Sequence, residues 1–144
     1  MQRPILLPFF LVLGIVSPIF MSCATFENPP ELLPYLDPDE LKVIADGCHE
    51  DFVIIDVRTP EEFEAGHIPN AINIEMGKVE NLAHPPAKDK HIIVYCRSGN
   101  RSNDAALHLQ ELGYTSILNF GGIRDYSHEL QKENTPCPNY NFTG

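Results

Sequence analysis

Residues 96–102 read CRSGNRS and follow directly on the apolar stretch HIIVY. A cysteine, two arginines and a glycine within six residues form a setting for a reactive thiolate, which an inert structural cysteine does not need. A loop leading from a strand into a helix turns backbone N–H groups inward, and the helix dipole adds partial positive charge. Gly99 admits backbone conformations that other residues resist. Amides facing the sulfur, with Arg97 and Arg101 nearby, lower the pKa of Cys96 and hold a thiolate at neutral pH. Such a thiolate attacks a soft electrophile and keeps a covalent group, whose charge the same cradle stabilises. Cys96 is therefore the candidate nucleophile. Arg97, Ser98, Gly99, Asn100 and Arg101 are the candidate binding residues. The plain alternative is a buried, unreactive cysteine, but apolar burial raises a thiol pKa whereas this loop lowers it.

The elements that must position this loop are legible in the hydrophobic pattern. LDPDELKVIADG opens a helix: Asp37 is a good N-cap, Pro38 fits the first helical position, Glu40 is placed to complete a capping box, and Gly47 ends it. DFVIIDVR carries the continuous apolar run Phe52–Ile55 of a strand covered on both faces. TPEEFEAG repeats the helix-start grammar, with Thr59 as cap, Pro60, Glu62, and Gly66 as stop. NAINI is compatible with a strand, HIIVYC is a second buried strand, and SNDAALHLQELG places Ala105, Leu109 and Leu112 on one helix face before Gly113. TSILNF is the last strand, and GGIRDYSHEL turns on two glycines into an expected final helix. Strands alternating with helices predict an α/β fold, a parallel β-sheet flanked by helices on both faces. Sites in such sheets lie beyond the carboxyl ends of the strands, where Cys96 falls.

Asp56 and Arg58 at the end of the first strand read as structural support, because a strand-end aspartate commonly caps a turn or pairs with an arginine. His67 reads as a packed, hydrogen-bonded residue, and Glu61, Glu62 and Glu64 as a solvated helix face.

The 144 residues suffice for one domain with a real core, and the 43% apolar and 21% charged fractions are those of a soluble globular protein. The net charge of −10 repels phosphate backbones and argues against a nucleic-acid partner. Two of the ten basic residues nevertheless sit in the Cys96 loop, which points to a small anion bound at one place.

Residues 1–22 stand apart from the fold. Arg3 precedes an apolar run to Met21, interrupted by Pro8, Gly14 and Pro18, as in a secretory signal. The run ends in FMSC, which resembles the bacterial lipobox, with Phe20 where leucine is usual. Cleavage before Cys23 and lipidation of its thiol are expected, with a plain cleaved signal or an uncleaved anchor as alternatives. The proline-rich, polar segment 23–36 reads as a tether. Residues 37–130 read as the domain and 131–144 as an irregular tail. In an oxidising compartment Cys48 and Cys137 could pair and leave Cys96 alone, but with Cys23 acylated three pairings remain open. Four spread cysteines with no C-x-x-C spacing argue against a zinc site.

Over roughly residues 37–130 the chain resembles a single-domain rhodanese, a sulfurtransferase. DVRTPEEFEAGHIPNAINI is similar to the family's Asp-x-Arg…Glu-Phe…Gly-His-Ile-x-Gly-Ala-x-Asn signature, with Asn70 where glycine is common. VYCRSGNRS matches its active-site loop, and GGIRDY its Gly-Gly-x-x-x-Trp, with Tyr126 for the tryptophan. With an export signal it looks like the periplasmic phage-shock-type rhodaneses. The resemblance implies a ping-pong cycle. Cys96 takes the outer sulfur of thiosulfate, releases sulfite, and passes the sulfur from its persulfide to a thiol or other thiophilic acceptor. The N–H groups of residues 97–101 would hold the persulfide, Arg101 would shape the loop and support anion binding, and exposed Arg97 would attract the anionic donor. No metal or organic cofactor is implied, and a monomer is expected. The rivals are a rhodanese-fold binding module without turnover and a small phosphatase or arsenate reductase. Those enzymes use a loop one residue longer than the Cys96-to-Arg101 spacing, and often a histidine where Tyr95 stands.

Overall fold

The computed structural model describes residues 24–81, 86–135 and 137–138. The signal-type sequence and Cys23 lie outside the described residues, as do positions 136 and 139–144 of the expected tail.

The chain alternates as the pattern predicts. Helix α1 spans Pro38–Gly47, strand β1 Phe52–Asp56, helix α2 Pro60–Glu64, strand β2 Ile72–Asn73, strand β3 His91–Cys96, helix α3 Asn100–Glu111 and strand β4 Ile117–Gly122. The sheet is parallel throughout, in the order β2-β1-β3-β4. The two apolar strands, β1 and β3, occupy its centre, where both faces need covering. Alternate residues feed two separate cores. Ile54, Ile93, Tyr95 and Leu118 pack with Leu41 and Ile44 of α1 and Phe63 of α2. Val53, Ile55, Ile92 and Val94 pack with Ala105, Ala106 and Leu109 of α3.

Local chemistry sets the helix starts. The Asp37 side chain accepts the Asp39 N–H at 2.8 Å, which caps α1 without help from Glu40. Thr59 and Glu62 form a reciprocal capping box on α2. Gly47 is the last residue of α1, and the left-handed turn that stops the helix falls on Cys48 (φ 46°). Cys48 is bonded to Cys137, which settles the open pairing and leaves Cys96 as a free, buried thiol.

Two expectations change. GGIRDYSHEL does not enter a final helix: β4 runs through both glycines, and only a 3-10 turn, Ile123–Asp125, follows. Beyond it Gln131 forms an antiparallel bridge with His67, with N–H to O distances of 2.8 and 2.9 Å, so the backbone is drawn out where a helix would have coiled it. The segment read as a tether is packed on the domain from Ala24 onward. It contains a 3-10 helix, Pro30–Leu36, whose Leu32 belongs to the core.

Candidate active site

Cys96 is the last residue of β3, and the chain turns immediately into α3. Gly99 caps that helix with φ 100°, in the left-handed region that glycine enters without strain. This turn aims the Gly99 N–H at the Cys96 sulfur, 3.1 Å away. Burial pushes the Cys96 thiol up. The N–H groups of Ser98, Ser102 and Gly99 and the Ser102 hydroxyl outweigh burial and bring the pKa below its ordinary value. The Ser102 hydroxyl has one proton and three acceptors around it: Gly99 O at 3.0 Å, Gly121 O at 3.2 Å and the sulfur. A thiolate, being charged, is the strongest of the three.

The far wall of the cradle is the end of β4. There the register with β3 shifts: Val94 opposes Asn119 and Tyr95 opposes Gly121, so Phe120 is an extra residue. The bulge bends β4 beside the sulfur, with Gly121 at φ 97° and its N–H held by the Asn119 side chain at 3.1 Å. Gly122 pairs with Cys96 itself. A Cβ on Gly122 would lie 3.0 Å from Arg97 O and 3.1 Å from the Ser98 Cα. Glycine at this position is what lets the loop lie against the strand.

The two arginines separate. Arg97 is exposed and makes no ion pair with any described residue. Arg101 lays its fork on Glu62, Nη1 to Oε2 at 2.7 Å and Nη2 to Oε1 at 3.0 Å. Arg101 holds the Glu62 carboxyl at about 2, against burial that would raise it. Glu62 is therefore not a free member of a solvated helix face: one carboxylate caps α2 and pins the arginine of the loop. Ser98 and Asn100 are exposed at the mouth.

Asp56 and Arg58 form a buried pair beneath the site. Arg58 Nε reaches both Asp56 oxygens at 2.9 and 3.0 Å, and Nη2 donates to Gly66 O at 2.8 Å. The pair fixes the turn around α2. Burial pushes the Tyr95 hydroxyl well up, and that hydroxyl accepts the Ile68 N–H at 3.1 Å. His67 stacks on Phe63 with ring centroids 3.7 Å apart and bonds Phe63 O through Nδ1 at 2.9 Å. Sequence reading missed Ser102, Glu62 and the wall made by Gly121 and Gly122. The glycine pair was visible as part of a motif. The Glu62 contact spans 39 positions and leaves no local signal.

Comparison with known proteins gives a consistent picture. The family model described as Rhodanese-like domain matches residues 37–129. A "Sulfurtransferase" of Allochromatium vinosum is 40% identical over 75 residues, covering 51% of this chain and 70% of that one. "Thiosulfate sulfurtransferase PspE" of Escherichia coli is 40% identical over 73 residues, covering 49% of this chain and 70% of that one. Among solved structures, a rhodanese with anions from E. coli is 36% identical with a TM-score of 0.53, covering 57% of this chain and 99% of that chain.

Proposed function

The chain belongs to the rhodanese-like family and is a sulfurtransferase, and we propose that Cys96 is the atom that carries the sulfur. The carrying observation is the free, buried Cys96 sulfur 3.1 Å from the Gly99 N–H, inside a ring of donors that lowers its pKa. In the first half-reaction the Cys96 thiolate attacks the outer sulfur of thiosulfate. The S–S bond of thiosulfate breaks, both its electrons leave with sulfite, and a Cys96 persulfide remains. In the second, an acceptor thiolate attacks the outer sulfur of that persulfide. Cys96 returns as a thiolate and the acceptor departs as a persulfide. The N–H groups of Ser98, Gly99 and Ser102 already face the Cys96 sulfur, and with the rest of the 97–101 loop they would stabilise the persulfide charge without reorganisation. Arg97 attracts the anionic donor. Arg101, held by Glu62, fixes the loop and lends positive charge at one remove. Asp56 and Arg58 support the site from below. No metal or organic cofactor enters.

The same reading places residues 1–22 as a signal, Cys23 as the lipidated residue, and the domain of 37–130 outside the cytoplasm as a monomer, with 131–144 as its irregular tail. The Cys48–Cys137 bond supports an oxidising compartment. Among the described residues no helix is long and apolar enough to cross a membrane.

The test is intact mass after incubation with thiosulfate, without added reductant. One sulfur atom should be gained, be lost on adding cyanide, and be absent from Cys96→Ala. No adduct on a free Cys96 thiol would reject the carrier role.

A further inference from the structure

Residues 24–29 do not hang from the domain; they are strapped along one side of the cradle. The Asn103 side chain, in the first turns of α3, takes the Phe26 N–H on Oδ1 at 2.8 Å and reaches Ala24 O with Nδ2 at 3.4 Å. Further on, Asn28 presents its side-chain amide to β4 as though it were a peptide: Oδ1 accepts the Asn119 N–H at 2.7 Å and Nδ2 donates to Asn119 O at 3.1 Å. Phe26 packs on the core beneath α3.

These contacts fix the direction of the strap. Helix α3 begins at the carboxyl end of the sheet, the end where Cys96 lies. Asn119 pairs with Val94, two residues before Cys96, and so lies about 7 Å lower at 3.3 Å per residue. The strap therefore starts level with the cradle and descends away from it. Position 23 is one peptide unit from Ala24, about 3.8 Å between Cα atoms. We propose that this strap holds the anchored end of the chain beside the cradle, so that the mouth above Cys96 works at the lipid surface and draws its acceptor thiols from that surface. The inference rests on the reading above that Cys23 carries the lipid and Cys96 the sulfur.

Charge gives the strap a task. The chain carries a net charge of −10, and Glu27 and Asp104 lie exposed beside the strap. Anionic headgroups would repel such a domain, so on a slack tether it would drift outward. Docking Ala24 and Phe26 on Asn103 denies it that freedom.

The experiment uses the full chain isolated with its acyl chains and reconstituted in phosphatidylethanolamine–phosphatidylglycerol vesicles. Thiosulfate is the donor. The acceptors are a lipid bearing a dihydrolipoyl headgroup and free dihydrolipoate. In either case one thiol takes the sulfur, and the second closes a disulfide and releases hydrogen sulfide, which is measured. The variant carries twelve Gly/Ser residues between Cys23 and Ala24, a span of about 19 Å that disturbs no packed residue. The ratio of lipid-borne to free dithiol turnover should fall about tenfold in the variant, with free dithiol turnover unchanged. Asn28→Ala/Asn103→Ala, which frees the strap without lengthening the chain, should lower the ratio in the same direction. An equal ratio in an acylated wild type and the linker variant would overturn the strap inference alone. Absence of acyl chains by intact mass would overturn it together with the anchor reading. Acylated protein that yields no sulfide from either acceptor would overturn it together with the sulfur-transfer reading.

Discussion

The two ends of the sheet treat cysteine in opposite ways. At the carboxyl end Cys96 is kept as a free thiol, buried, with N–H and O–H donors turned on it. At the amino end Cys48 leaves α1 in a left-handed turn and is consumed in a bond to Cys137, 89 positions away. Residue type is the same; surroundings decide the role. The loop at one end is held by contacts within a few residues, by the end of the neighbouring strand and by Glu62 on α2, and its purpose is to stabilise charge. The crosslink at the other end closes a long loop and acts on the unfolded chain. The ends are also insulated. β3 rises about 16 Å from His91 to Cys96 at the usual strand spacing. Disulfides need Cα atoms within about 7 Å. The folded protein cannot pass oxidation from the crosslink to the nucleophile.

Cys96→Ser is the sharpest way to break this contrast. Sulfur transfer should fall to background in a thiosulfate–cyanide assay, while stability in urea changes by only about 1 kcal/mol. Residual transfer would move the chemistry towards the disulfide end. The mirror experiment is Cys48→Ser/Cys137→Ser. It should cost about 2–4 kcal/mol in urea unfolding and leave the alkylation rate of Cys96 in the folded protein unchanged. A changed rate would mean that the two ends communicate. Smaller still is Ser102→Ala. Loss of a hydrogen bond to a charged acceptor should raise the Cys96 pKa and shift the onset of thiolate reactivity to higher pH. The pH profile of iodoacetamide labelling reads it directly.

The smallest effect belongs to Glu62. Its carboxyl titrates at about 2 in the folded protein against an ordinary value of 4.5. A depressed carboxylate stabilises the fold above its unfolded pKa and loses that contribution as pH falls through the folded one. The Glu62–Arg101 pair should therefore weaken between pH 4.5 and about 2. The pair is partly exposed, so the loss is below about 1 kcal/mol. Glu62→Gln should flatten this part of the curve of melting temperature against pH. An unaltered curve would remove the pair from the loop's support.

Much of the fold was legible because its signals are local. The apolar runs Phe52–Ile55 and His91–Tyr95 announce buried strands, and Thr59 with Glu62 announces α2 three residues at a time. The Cys96 loop was legible for the same reason: its donors lie in the residues that follow it. What escaped depends on distant partners. A segment with Pro29, Pro30 and Pro34 reads as slack until Leu32 is seen in the core and Asn28 against Asn119, 91 positions on. Glu62 reads as a surface charge until Arg101 arrives from α3. The expected final helix gave way at one end to β4, which runs through Gly121 and Gly122, and at the other to the bridge of Gln131 with His67, and GGIRDYSHEL carries no trace of either distant partner.

The Asn28 amide also has a meaning for how the molecule keeps to itself. An open sheet offers two raw borders on which a second chain could lay a strand. One border here is β2, two residues long and too brief to template anything. The other is β4, with six residues, and in its middle the N–H and C=O of Asn119 are already taken by Asn28. A strand arriving from another copy would first have to expel a side chain that imitates it. By filling one rung of the ladder, Asn28 guards the protein against stacking edge to edge.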